Sequence, residues 1–142
     1  MAEETIKVFG KLHIVLKDES GNVKDDFVTN TVTTAGKYGI ADQVLASPSL
    51  GKPTHMAVGT GTPSATALGT ELDRNALTSK TRNNAIVTMV GDWAAGDGTG
   101  AITEAGIFDA SSTGNMWCSA SFAAINKLAG DTLQISWTLT IS

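Results

Sequence analysis

The chain has 142 residues, carries 14 acidic against 10 basic side chains for a net charge of −4, and is 42% apolar but only 17% charged. That length suits one domain able to bury a core without staples, and a surface built from Thr, Ser, Asn and 15 Gly rather than charge suits a strand-rich protein that is covered or assembled. The absence of a basic run disfavours phosphate-driven nucleic-acid binding, no stretch approaches the roughly 20 apolar residues of a membrane helix, and the lone Cys118 precludes an intrachain disulfide. The start, Met1-Ala2-Glu3-Glu4-Thr5, is acidic where a signal peptide is basic, so a soluble protein made in a cytoplasm is expected.

In chain order, Ile6 to Lys17 reads as a strand with Leu12, Ile14 and Leu16 on one face. Asp18-Glu19-Ser20-Gly21-Asn22 is dense in turn formers, and Val23 to Asn30 resumes an extended pattern, predicting a hairpin. Thr33 or Thr34 offers an N-cap, and Tyr38, Ala41, Val44 and Leu45 recur at helical spacing until Ser47-Pro48, predicting the one helix. A short strand Thr54–Gly59 follows, then one or two helical turns over Thr66–Arg74, then a long extended stretch from Asn75 to Trp93. Gly96-Asp97-Gly98-Thr99-Gly100 breaks it, and strands are predicted over Ala101–Phe108 and Met116–Phe122. The clearest alternation is the last: Leu133, Ile135, Trp137, Leu139 and Ile141 against Gln134, Ser136, Thr138 and Thr140. The predicted fold class is mostly β, an antiparallel sandwich or partly closed barrel with one α-helix, as a single domain over residues 1–142.

Catalytic patterns are scarce. His13 and His55 lie inside strand patterns with no partnered motif, and no metalloprotease helix, nucleophile elbow or paired-cysteine motif occurs, so no enzyme is expected. Gly59-Thr60-Gly61 opens like a dinucleotide fingerprint but Ser64 holds the third glycine position, and Gly51-Lys52-Pro53-Thr54 departs from a phosphate loop at Pro53. Asp92, Asp97 and Asp109 lie near loops without the spacing of a calcium loop. Neither a metal nor a cofactor is implied. Cys118 shares the parity of Met116 and Phe122 and reads as a small buried hydrophobe. Trp137 belongs to the core face of the last strand, whereas Trp93 and Trp117 are either interface anchors or a second apolar layer within the monomer. The polar segment Met1–Thr5 followed by Ile6, Val8 and Phe9 makes residues 1–9 either a flexible N-terminal arm able to add to a partner's sheet edge or a frayed terminus leading into an ordinary strand. The candidate interface is therefore Ile6, Val8, Phe9, Trp93 and Trp117.

His55-Met56-Ala57-Val58-Gly59-Thr60-Gly61-Thr62 with Thr66–Arg74, then Gly100–Phe108, then Phe122–Lys127 leading into Leu133–Ile141, together resemble small virion structural proteins of tailed bacteriophages. The resemblance spans roughly Thr54 to Ser142, with a weaker likeness over Thr33–Ala46. Size and the lack of a fibrous repeat favour the head decoration (cement) type over a tail-fibre or baseplate subunit. It implies a protein that binds the major capsid protein on the outside of the head, often through an N-terminal arm, and forms trimers. It also implies location on the virion after assembly in the host cytoplasm. A reading from another class is a small carbohydrate-binding module with Trp93, Trp117 and Tyr38 stacking on sugar rings.

Overall fold

The computed structural model describes residues 4–142. The described residues form ten strands, β1 (Val8–Lys17), β2 (Val23–Thr29), β3 (Thr31–Val32), β4 (His55–Gly59), β5 (Glu71–Ala76), β6 (Ser79–Asn83), β7 (Ile86–Trp93), β8 (Gly100–Phe108), β9 (Met116–Lys127) and β10 (Thr132–Ile141), with apolar alternation clearest in β1 and β10. The single helix among the described residues is α1 (Thr34–Asp42). The strands form two separate antiparallel sheets, ordered β2-β1-β10-β7-β6 and β3-β9-β8-β4-β5, so of the sandwich and the partly closed barrel the architecture is the sandwich.

Register explains the core. Leu12 of β1 stands opposite Trp137 of β10, which stands opposite Met89 of β7, and the next inward row is Ile14, Ile135 and Gly91. Met56, Val58, Ala105, Ile107 and Cys118 of the second sheet pack into the same cluster. In β1, β7 and β10 alternation with period two puts every second side chain on this face. The predicted hairpin at Asp18–Asn22 forms, with Gly21 at φ +86 closing the turn.

Three local predictions are corrected. The stretch Asn75–Trp93 holds the end of β5 and then two strands, β6 and β7, folded back at Asn84-Ala85, where Asn84 takes φ +53, a left-handed conformation that Asn tolerates. No helical turn forms over Thr66–Arg74, which is a loop running into β5; the backbone N–H groups of Gly69 and Thr70 are held by a carboxylate instead of a helix. The helix begins where predicted, with Thr33 accepting from the Gly36 N–H, but it ends at Asp42, before the predicted stop at Ser47-Pro48 and before Val44 and Leu45, and it turns the other face inward. Gly36, Gly39 and Asp42 are buried, while Tyr38, Val44 and Leu45 are exposed. A Cβ on Gly39 would come 2.2 Å from Trp117 Cζ2 and one on Gly36 would come 2.2 Å from the Trp117 carbonyl oxygen, so the glycines let α1 lie directly on β9. Thr33 fixes this contact by donating its hydroxyl to the Met116 carbonyl, 83 residues away.

Candidate functional site

Because α1 docks through its glycines, its larger side chains are left at the rim of an apolar groove. The groove is about 620 Å³. The floor comes from the first sheet: Val8 of β1, Leu139 and Ile141 of β10, and Val87 and Met89 of β7. The facing wall is Ile40, Gln43 and Val44 from α1 and its exit, with Trp117 behind them. Lys52-Pro53 and the edge strand β6, through Lys80, Thr81 and Arg82, complete it. In the register of β6 against β7, Lys80 is opposite Met89 and Arg82 opposite Val87. Both cations therefore end inward-facing rows, the manner in which edge strands are protected from unwanted pairing. Their nitrogens reach only neutral carbonyls: Lys80 Nζ donates to Pro53 O at 2.6 Å and Arg82 Nη1 to Asn84 O at 2.9 Å. Among the described residues the only ion pairs are His13–Asp25 and Arg74–Glu71, elsewhere on the molecule.

The predicted interface residues are placed unequally. Trp93 and Trp117, at 1% and 5% exposure, are core residues and not interface anchors. Both belong to the inter-sheet cluster, so the second apolar layer within the monomer is what they build. The parity that separated Trp117 from Cys118 is interrupted by a register shift beside Phe108 and Met116, and α1 covers that end of β9. Val8 and Phe9 are not part of an arm: they pair with Ile141 and Thr140, and Lys7 exchanges both backbone hydrogen bonds with Ser142. Val8 lines the groove, Phe9 is 52% exposed, and Ile6 is 69% exposed just before the first paired residue. Of the predicted arm, Glu4–Ile6 precede the paired residues, and Met1–Glu3 lie outside the described residues.

The groove cations Lys52, Lys80 and Arg82, and Val44 at 87% exposure, were missed by sequence reasoning. The alternation Lys80, Arg82 in a strand otherwise made of Ser, Thr and Asn is the signal that could have found them.

The residues inspected for chemistry serve the fold. Glu104 is fully buried, and its carboxylate accepts from the backbone N–H groups of Gly61, Gly69 and Thr70 at 2.7–2.8 Å. Gly59-Thr60-Gly61 is therefore a strap closed around a carboxylate. Asp109 is held by Asn115, and Asp92 accepts from Thr78 and Gln134, so each caps local structure. No group of three or more His, Cys, Asp or Glu gathers in metal-binding proximity among the described residues. Burial pushes the Cys118 thiol up to about 12, which suppresses the thiolate, in keeping with a packing role. Asp42, at the end of α1, is held below its ordinary value first by the Leu50 N–H and then by the Ser49 backbone and hydroxyl, with Lys52 adding attraction.

No helix among the described residues is long and apolar enough to cross a membrane. No protein-family model matches the chain, and neither a curated protein nor a solved structure is significantly similar to it.

Proposed function

We propose that this chain is a head decoration protein of a tailed bacteriophage, which binds the major capsid protein on the outer surface of the shell, reinforces it, and acts as a homo-oligomer, a trimer. The observation that supports assembly is where the exposed apolar side chains lie. Two of the large exposed apolar residues, Val44 and Ile141, line the groove, and Ile6, also exposed, precedes its lining residue Val8 by two positions, on the same face of the extended chain. Concentrated apolar surface of this kind marks contact with another macromolecule. The virion assignment is supported by the motif likeness. Two of the segments that carry it, from His55 to Thr62 and from Gly100 to Phe108, meet at the bond from the Gly61 N–H to the Glu104 carboxylate.

The test is immunogold labelling of purified particles, with binding of the isolated protein to undecorated heads as its complement. Label on the head and an increase in the temperature at which heads rupture are the expected results. Label confined to the tail would replace this reading with the tail-fibre or baseplate one. The carbohydrate-binding alternative loses two of its three stacking residues, since Trp93 and Trp117 are buried and only Tyr38 is exposed.

A further inference from the structure

The groove is chemically asymmetric, and the asymmetry narrows what can fill it. Its floor is aliphatic, from Val8, Leu139 and Ile141, and its rim is cationic, from Lys52, Lys80 and Arg82. Asp42 is the acid near Lys52, but its two oxygens already accept from the Ser49 and Leu50 backbone. An occupant must therefore bring an apolar side chain for the floor and a carboxylate a short distance along the same face.

The segment Glu4-Thr5-Ile6 has that pattern. In an extended chain Glu4 and Ile6 project to the same side, about 7 Å apart. Both are exposed. The segment leaves the domain at Lys7, which is anchored to Ser142, and so emerges beside Val8 on the border of the groove. To enter the groove of its own domain the chain would have to reverse directly before Lys7, and Glu4-Thr5-Ile6 contains none of the Gly, Pro, Asn or Asp residues that make tight reversals. A neighbouring molecule is reached without a reversal.

We propose that the groove receives Glu4–Ile6 of a second copy of this chain, with Ile6 on the aliphatic floor and Glu4 against Lys80 and Arg82. The exchange is heterologous within a closed ring or reciprocal within a dimer, and either leaves no groove open. It rests on the self-association in the reading above but not on the particle.

The test is charge exchange on the full chain, with self-association read by sedimentation at rising protein concentration. Glu4→Lys and Lys80→Glu should each weaken association by about tenfold, the effect of about 1.4 kcal/mol, and the double variant should regain most of the loss. Glu4 lies outside the paired strands, so loss in Glu4→Lys is not a folding defect; circular dichroism melting checks Lys80→Glu. A second measurement mixes two differently tagged variants, Ile6→Cys and Val44→Cys, under mild oxidation. A disulfide between the two tags is expected, and its suppression by Lys80→Glu ties it to the groove. Monomeric wild-type protein, additive losses without rescue, or failure of the mixed disulfide would each overturn the proposal. Head binding is measured in parallel. If Lys80→Glu abolishes head binding while self-association is unchanged, the occupant is a capsid segment, and the decoration reading survives while this one falls.

Discussion

At Gly39 two physical effects oppose each other. In a solvent-facing helix interior, glycine is worse than alanine by about 1 kcal/mol, so Gly39→Ala in α1 would ordinarily stabilise. Here the added Cβ meets the Trp117 ring at 2.2 Å, and Trp117 is itself packed into the inter-sheet cluster with little room to yield. Overpacking of a close-packed core costs about 1–3 kcal/mol, which exceeds the propensity gain. Gly39→Ala should therefore lower the denaturant midpoint, while Ala substituted at Lys37, on the exposed side of the same helix, should leave it nearly unchanged. A stabilised Gly39→Ala protein would mean that α1 does not rest on Trp117. The same contact explains why the helical face was misread from sequence. Tyr38, Ala41, Val44 and Leu45 have the right spacing for a buried stripe, but a helix can also dock through its smallest residues, and hydrophobic periodicity does not register glycine as a contact.

The loop from Thr60 to Thr70 is held by one carboxylate, and its behaviour should follow from that single group. Glu104 accepts three backbone N–H bonds in a site shielded from water. Glu104→Gln keeps the shape but replaces an acceptor oxygen with an NH2 that faces donors. A loss of about 2–4 kcal/mol is expected, from weakened charge-assisted bonds and at least one unsatisfied N–H. Amide exchange at Gly61, Gly69 and Thr70 should accelerate more than at the paired strands, and uniform acceleration would mean that the strap is not a local unit. The connection after α1 offers a pH-dependent counterpart. Because Asp42 is held below its ordinary value of 3.8 by the Leu50 and Ser49 N–H groups, its contribution is complete above that value and fades as the pH falls through the lower, folded-state one. Asp42→Asn should be less stable than wild type at neutral pH, and the gap should close in acid; a constant gap would place the effect elsewhere. At this scale the strands were legible because alternation is a local property, seen most clearly in Leu133–Ile141. The strap was not: Glu104 is more than 30 residues from Gly69 and Thr70, and only the fold brings their N–H groups to it.

For the molecule as a whole, the decisive fact is that the first and last strands are partners. β1 pairs with β10 from Val8–Ile141 to Lys17–Thr132, and β10 then pairs with β7, so the final strand is the middle of the first sheet. The sequence marked both strands as half-buried but carried no signal that they meet, because pairing across more than 100 residues leaves no local trace. The consequence is that the sheet cannot be completed until the last residues are available. It also places Trp137, in β10, between Leu12 and Met89, so the core row loses its centre when β10 is absent. A chain ending at Asp131 keeps β2-β1 and β7-β6 as two isolated hairpins with no strand between them, and isolated hairpins are marginal in water. Such a chain should show no cooperative thermal transition and should bind hydrophobic dye. Adding the peptide Thr132–Ser142 in trans should restore a transition whose midpoint rises with peptide concentration, as linkage requires. A cooperative transition in the truncated chain alone would show that the second sheet folds independently, and the sandwich would then have to be treated as two separable layers.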